Sequence, residues 1–198
     1  MLIRDWKKDI FTIPNILSLF RILLIPVYMV IYLNADSATD YYLSAAILAV
    51  SCLTDLIDGK IARHFNMIST VGKILDPLAD KATQFTLIVC LAVKYPSLRY
   101  LIILFVAKES FQLLAGCLNL QKGKMLKGAL LSGKICTTIL FISLILMVML
   151  PNLDSKVVDI IVLIDGIMML IAFLDYVVAY FVRDSKFQDI DISKKDKK

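Results

Sequence analysis

The chain has 198 residues, of which 59% are hydrophobic, and its mean hydropathy of +0.79 is too high for an ordinary water-soluble domain. Its formal net charge of +5 does not indicate nucleic-acid binding, because the basic residues follow the pattern of a membrane topology. The composition therefore predicts an integral membrane protein whose surroundings are a lipid bilayer.

The chain begins with an amphipathic segment and continues with repeated apolar runs. The first fourteen residues combine Trp6 and Phe11 with Arg4, Lys7 and Lys8, which is typical of a helix lying at the membrane interface. The later runs are long enough to cross the hydrocarbon core. We expect six transmembrane helices, over residues 16–34, 42–63, 71–94, 101–120, 129–150 and 157–181. The predicted fold class is an all-α membrane protein, with one domain over residues 1–184 and a charged cytoplasmic tail over 185–198.

The placement of lysine and arginine predicts the orientation of these helices. With both termini in the cytoplasm, fifteen basic residues lie in cytoplasmic segments, and the external loops hold three, namely Lys94, Arg99 and Lys156. Such an excess is the positive-inside pattern of multi-pass proteins. We expect a protein of the cytoplasmic membrane, without a cleaved signal peptide.

Four aspartates concentrate in one short window of this apolar chain. Asp55 and Asp58 are three residues apart near the end of the second predicted helix, and Asp76 and Asp80 are four apart near the start of the third. Either spacing places two carboxylates on one helix face. A short reversal between the helices brings the two faces together, and the clustered charges then require a cation. Oxygen ligands favour Mg²⁺, Mn²⁺ or Ca²⁺.

Other metal chemistries and a histidine-based triad are excluded by composition. His64 is the only histidine, and the four cysteines are scattered through predicted helices without the spacing of a zinc site. We expect the cysteines to pack as small apolar residues. The predicted metal site is therefore built from aspartates.

Two glycines and an arginine accompany the aspartates. Gly59 and Gly72 allow close approach of a backbone or a flat ligand beside the carboxylates. Arg63, one helical turn after Gly59, can direct its guanidinium at a phosphate. Metal, carboxylates and arginine together suit phosphoryl transfer, in which positioning and charge neutralisation carry most of the catalysis.

Two other interpretations explain the aspartates less completely. Salt bridges to neighbouring lysines and arginines would account for single pairs but not for the whole spacing. A divalent-cation transporter would use the four carboxylates, yet it has little need of Arg63 beside them, and it requires charges running across the bilayer. The four aspartates instead cluster at one leaflet, which favours an enzyme.

The full pattern resembles a known signature. Asp55-x2-Asp58-Gly59-x2-Ala62-Arg63-x8-Gly72-x3-Asp76-x3-Asp80 is identical in form to the signature of the CDP-alcohol phosphatidyltransferase family. Pro14-Asn15-x-Leu17-Ser18-x2-Arg21 and the run from Leu75 to Lys81 also resemble two bacterial branches, the phosphatidylglycerophosphate synthases and the cardiolipin-synthase-like members. The resemblance covers nearly the whole chain.

The resemblance implies a site and a reaction. Two Mg²⁺ or Mn²⁺ ions would be bound by Asp55, Asp58, Asp76 and Asp80, and Asp80 would be the general base. The bound CDP-diacylglycerol would contact Asp55, Gly59, Ala62, Arg63 and Gly72. An acceptor hydroxyl would attack the β-phosphorus and release CMP on the cytoplasmic side. The family also implies a homodimer.

The acceptor is the point at which the branches separate. Phosphatidylglycerophosphate synthases commonly carry Ala-Arg-Glu in the fourth span and a further arginine near its end, where this chain has Ala107-Lys108-Glu109 and Gly116. We place Lys108, Lys134 and Arg21 in the acceptor pocket; pairing with Glu109 or the aspartates is the alternative for Lys108 and Arg21. Retained lysines favour glycerol-3-phosphate, and the missing arginines favour phosphatidylglycerol, the cardiolipin-forming acceptor. Relatives that use inositol phosphate or serine share the same metal site.

Overall fold

The computed structural model describes residues 12–64, 72–121, 124–126, 128, 130–181 and 187–189. In this part of the chain it contains six helices and two short strands. The helices are α1 (Ile13–Leu33), α2 (Ala38–His64), α3 (Gly72–Lys94), α4 (Leu98–Gln121), α5 (Leu131–Met149) and α6 (Ser155–Phe181). Each helix lies where the sequence predicts a span, so the helical fold class is confirmed.

The structure adds a small strand pair that the sequence does not predict. β1 (Lys124–Leu126) and β2 (Phe187–Asp189) pair in antiparallel fashion, with Lys124 opposite Asp189 and Leu126 opposite Phe187. β2 lies inside the segment that we assigned to a charged tail. Part of that segment therefore returns to the connection between α4 and α5.

Hydropathy supports a multi-pass membrane protein. Four stretches are long and apolar enough to cross a membrane: Asn15–Leu33, Leu98–Gln121, Leu131–Met149 and Ser155–Phe181. The apolar stretch of α2 is shorter, Ala38–Thr54, because charged residues begin at Asp55, and α3 likewise begins with a charged half. Six complete spans therefore stay a prediction. The predicted N-terminal amphipathic helix lies outside the described residues.

Large apolar side chains on the outer faces fit a lipid environment. Leu23 in α1, Ile103 in α4 and Leu163 in α6 are each at least 60% exposed. Such exposure would be costly in water, whereas lipid chains are as apolar as leucine. The helices thus present to the bilayer the residues that the apolar composition requires.

Contacts divide the chain into two compact units, and α1, α2 and α3 form most of the first. Unit 1 contains the described residues up to Lys94 together with residues 144–153. α1 packs against both α2 and α3, and the buried side chains include Tyr28, Tyr32, Leu48 and Leu87. The Tyr28 and Tyr32 rings stack with their centres 5.6 Å apart. This packing fixes the face that α1 presents to α3.

A reciprocal cap begins α2. The backbone N–H and the hydroxyl of Ser37 donate to Asp40 Oδ2 at 3.0 and 2.8 Å, and the Asp40 N–H donates to Ser37 Oγ at 3.4 Å. This is the capping-box arrangement, in which side chains satisfy N–H groups that lack helical partners. Asp40 precedes the first residue of the predicted membrane span. The hydrogen bond from the Ser37 hydroxyl holds the pKa of the Asp40 carboxyl below its usual value of 3.8.

We expect the stabilising effect of Asp40 to depend on pH. Because its folded-state pKa is lowered, its contribution is fully present above the unfolded pKa and is lost as the pH falls through the folded value. The difference in melting temperature between the natural protein and Asp40→Asn should therefore shrink below about pH 4. Thermal unfolding in detergent at several pH values measures this difference. An undiminished difference at about pH 3 would contradict the assignment.

Unit 2 has a core of its own between α4 and α6. It contains residues 95–143 and the described residues from Asp154 onward. Buried side chains include Leu101 and Phe105 of α4 and Val158 and Met169 of α6. Closer to the α6 C-terminus, Phe111 meets Phe173 edge to face, with ring centres 5.3 Å apart.

Asp165 is a buried carboxyl in the middle of α6, only 1% exposed. The hydroxyl of Ser143 in α5 donates to its Oδ2, and its Oδ1 has no hydrogen-bond partner within the described segments. Burying a polar group is costly unless it is hydrogen-bonded. The Ser143 bond therefore offsets part of the cost of Asp165.

We expect Ser143→Ala to destabilise the protein by about 1–2 kcal/mol, because it leaves the buried carboxyl without this donor. Adding Asp165→Leu should recover most of the loss, since both polar partners are then absent. Unfolding in mixed detergent micelles provides the measurement, and Thr138→Ala, at an exposed position of the same helix, is the control. A double variant less stable than Ser143→Ala would contradict this account.

Candidate active site

The aspartates of α2 lie on a helix that is continuous to His64. Asp55 and Asp58 are therefore three residues apart in helical backbone, as predicted. Of the predicted site residues on α2, the structure describes the helical backbone but not the side chains or surroundings: Asp55, Asp58, Gly59, Ala62 and Arg63. Their metal-binding and lipid-binding roles remain predictions.

The other two aspartates occupy the first half of α3. α3 begins at Gly72, and Asp76 and Asp80 follow one helical turn apart. Asp76 is half-buried, and the Asp80 side chain is 48% exposed. The backbone thus sets two carboxylates on one side of α3, with Asp80 accessible from outside the helix packing.

α1 contributes two polar partners to these carboxylates. The Ser18 hydroxyl donates to Asp76 Oδ1, and Arg21 Nη1 donates to Asp80 Oδ1 in an ion pair. Ser18 and Arg21 are both buried, and so is Asn15, one turn earlier. These three polar residues recur every third position of an otherwise apolar helix, which places them on one face. The amino-terminal motif is therefore part of the aspartate site.

The Arg21–Asp80 ion pair matters for the charge of the site. A buried guanidinium needs a counter-charge, and a cluster of carboxylates needs positive charge nearby. The pair meets both needs. Sequence reasoning placed Arg21 in the acceptor pocket, and the structure places it against the predicted general base.

The donor atoms present fit a hard divalent cation. Asp76 and Asp80 supply carboxylate oxygens, which Mg²⁺ and Mn²⁺ prefer. No group of three or more potential ligands occurs within the described residues, a set that lacks the side chains of Asp55 and Asp58. The described half of the site is thus a pair of oxygen donors, completed in our prediction by the two aspartates of α2.

Lys108 and Lys134, the two predicted acceptor residues of unit 2, differ in their surroundings. Lys108 in α4 is buried, and its Nζ donates to Glu109 Oε1 at 2.6 Å. Lys134 lies in the first turn of α5 with an exposed side chain. The charge of Lys108 is therefore balanced by its neighbour in sequence, whereas Lys134 presents its ammonium at the surface of unit 2.

Sequence reasoning missed partners of the first turn of α5. Asp175 Oδ2 accepts the Ser132 hydroxyl at 2.6 Å, and the Tyr176 hydroxyl accepts the backbone N–H of Leu130 at 3.3 Å. The adjacent polar residues Asp175 and Tyr176 in an apolar helix were the available signal.

Comparison with known proteins agrees with the resemblance of the motif. Residues 11–178 match the family model for CDP-alcohol phosphatidyltransferase. The CDP-diacylglycerol–glycerol-3-phosphate 3-phosphatidyltransferase of Aquifex aeolicus is 30% identical over 85% of this chain and 96% of its own length.

Two further relatives are named as cardiolipin synthases. A cardiolipin synthase (CMP-forming) of Streptomyces coelicolor is 33% identical over 52% of this chain and 49% of its own length. A cardiolipin synthase (CMP-forming)/mitochondrial hydrolase fusion protein of Schizosaccharomyces pombe is 42% identical over 46% of this chain. The match to the fusion protein spans 15% of that protein. Both similarities therefore cover about half of this chain and half or less of the relative.

Proposed function

The chain belongs to the CDP-alcohol phosphatidyltransferase family, and on that premise we propose that it transfers a phosphatidyl group from CDP-diacylglycerol to glycerol-3-phosphate. The products are CMP and phosphatidylglycerophosphate. The observation that carries the choice of acceptor is the match to the Aquifex aeolicus phosphatidyltransferase, which extends over nearly the full length of that relative. We also expect a homodimer in the cytoplasmic membrane, with the site facing the cytoplasm.

In the proposed reaction Asp80 takes the proton from the acceptor hydroxyl. The oxygen attacks the β-phosphorus of the CDP-lipid, a new P–O bond forms, and the bond to the bridging oxygen breaks as CMP leaves with its electron pair. Arg21 holds Asp80 Oδ1, which fixes the base for this transfer. Arg63 would bind the diphosphate, and Gly59, Ala62 and Gly72 would border the nucleotide.

A divalent metal is part of the proposal. Asp55, Asp58, Asp76 and Asp80 would hold Mg²⁺ or Mn²⁺, which supplies Lewis-acid neutralisation of the diphosphate charge. The carboxylates of Asp76 and Asp80 are kept on one side of α3 by helical spacing and by the two partners on α1. This prepositioning lowers the cost of assembling the site around its substrate.

A specific observation also favours phosphatidylglycerol as acceptor. Lys108 is already paired with Glu109, and Gly116 stands where a second cation is common in glycerol-3-phosphate enzymes. A doubly charged acceptor would lose contacts under these changes, whereas a phosphodiester carries one charge. Two of the relatives described above are named cardiolipin synthases.

CMP release by the purified full-length protein tests both functions. CDP-diacylglycerol is supplied with Mg²⁺ or Mn²⁺, and glycerol-3-phosphate and phosphatidylglycerol are offered in separate reactions. We expect release with glycerol-3-phosphate and its loss on chelation of the metal. Release with phosphatidylglycerol alone would overturn the proposed acceptor and make the protein a cardiolipin synthase.

A further inference from the structure

Two successive residues of α6 form hydrogen bonds with the segment of chain that begins α5. We call residues 130–134 the α5 corner. The backbone N–H of Leu130 donates to the Tyr176 hydroxyl at 3.3 Å, and the Ser132 hydroxyl donates to Asp175 Oδ2 at 2.6 Å. Because these bonds join neighbouring residues of the corner to neighbouring residues of α6, they restrain its rotation as well as its position.

Close packing reinforces the two hydrogen bonds. A Cβ added at Gly133 would lie 2.7 Å from both Cε2 and the hydroxyl oxygen of Tyr176, closer than real Cβ atoms approach such atoms. Glycine at this position therefore lets the tyrosine ring lie directly on the α5 backbone. Leu130, Tyr176 and Ala179 are buried together in one apolar cluster.

The tyrosine is itself held by aromatic neighbours. Tyr180 stacks on Tyr176, with ring centres 6.4 Å apart, and Phe111 of α4 meets Tyr180 edge to face at 6.1 Å. Such contacts stabilise a ring beyond the effect of its buried area. Tyr176 thus has little freedom to move away from the corner.

Lys134 is the last residue of the α5 corner, and its side chain is exposed. Its backbone N–H donates to the carbonyl oxygen of Leu130 at 3.1 Å, a hydrogen bond that begins α5. A cation in the first turn of a helix opposes the helix dipole, which favours anions there. A rigid support for an unfavourably placed cation is consistent with a role in binding an anion.

We propose that Tyr176 and Asp175 are positioning residues that fix Lys134 to receive the phosphate of the acceptor. The inference rests on the proposed function, in which Lys134 binds that phosphate. Tyr176 and Asp175 act through the α5 corner and do not touch substrate themselves. Their removal should therefore weaken acceptor binding without altering the reacting groups.

Steady-state kinetics of Tyr176→Phe in the full-length protein test this role. The variant keeps the ring and loses the oxygen that accepts the Leu130 N–H. We expect KM for the acceptor to rise about five- to tenfold, with kcat and KM for CDP-diacylglycerol within about twofold of the natural protein. Tyr100→Phe, which removes a hydroxyl from an exposed ring of α4 away from the corner, is the matched control and should leave all three constants unchanged.

A double-variant cycle provides a second, independent measurement. Gly133→Ala should raise KM for the acceptor strongly, because the added methyl group collides with Tyr176. In a Tyr176→Leu background the same substitution should add little, since the ring is gone. Equal effects in both backgrounds would show that Gly133 and Tyr176 do not act together, and would overturn the proposal.

The outcomes separate this inference from the proposed function. If phosphatidylglycerol alone supports CMP release, the proposed acceptor is wrong, and the corner is judged by KM for phosphatidylglycerol, which also carries a phosphate. If KM for the active acceptor does not change in Tyr176→Phe, the positioning role is wrong. A parallel change in kcat and in both KM values would also overturn it, because it would indicate general damage to the fold.

Discussion

Replacing Asp80 with asparagine should lower CMP release by about 10²–10⁴-fold, the range expected when a general base is removed. Asparagine keeps the size and one oxygen of the side chain, so the change removes proton acceptance more than shape. We expect CDP-diacylglycerol still to bind, because Asp55, Asp58 and Asp76 remain. The expected result is loss of turnover with retained substrate binding.

Two measurements are needed to separate the effect of Asp80→Asn on turnover from its effect on substrate binding. CMP release gives the turnover, and the shift of melting temperature on adding CDP-diacylglycerol with Mg²⁺ reports binding separately. Asp159→Asn, at an exposed position of α6, is the control for loss of an aspartate elsewhere. Full activity of Asp80→Asn would refute its role as the base, and loss of the binding shift would identify Asp80 chiefly as a ligand.

The aspartate pairs could be predicted from sequence because their geometry is local. Asp76 and Asp80 are four residues apart, and a helix brings such positions to one side whatever surrounds it. The structure confirms the helix and the placement of both residues at its start. Nothing beyond helical periodicity was needed for this part of the site.

The partners of those aspartates depend on long-range packing. Ser18 and Arg21 are more than fifty residues away from Asp76 and Asp80 in sequence. The spacing of polar residues along α1 indicates a polar face, but it does not say which helix that face meets. For Arg21 the chemistry of a buried cation allowed either a substrate phosphate or a carboxylate. Tertiary packing brings Arg21 to the carboxylate of Asp80, and its role in binding the acceptor stays a prediction.

The same limit applies to the α5 corner. Gly133 directly precedes Lys134 in sequence, but its need to lack a side chain comes from Tyr176, which lies 43 residues further along the chain. A glycine in sequence does not identify the group that approaches it. The strand pair β1–β2 was missed for a similar reason, since three-residue strands carry too little pattern.

Prediction of membrane spans from hydropathy is least effective at the candidate site itself. Charged side chains interrupt the second half of α2 and the first half of α3, where the reaction is predicted to occur. Those charges shorten the apolar stretches on which span prediction relies. The structure nevertheless has continuous helices over both segments.

Replacing Arg21 with methionine should lower kcat by about tenfold or more, because Asp80 loses the contact that fixes Oδ1. A role in binding the acceptor phosphate would instead raise KM for the acceptor and leave kcat nearly unchanged. Arg21→Lys should fall between the natural protein and Arg21→Met, since lysine restores charge without the planar fork. Kinetics at varied acceptor concentration therefore separate the contact in the structure from the role expected from sequence.

Stability supplies an independent check on the same pair, because its two members differ in burial. Asp80→Asn removes one counter-charge of a buried guanidinium, whereas Arg21→Met leaves a carboxylate that is 48% exposed and can be hydrated. Asp80→Asn should therefore be the more destabilising, by about 2 kcal/mol, less than for a fully buried pair. Adding Arg21→Met should restore part of that loss, which thermal unfolding in detergent measures. If the two losses simply add, Arg21 and Asp80 are not coupled, and the kinetic effect of Arg21→Met must have another origin.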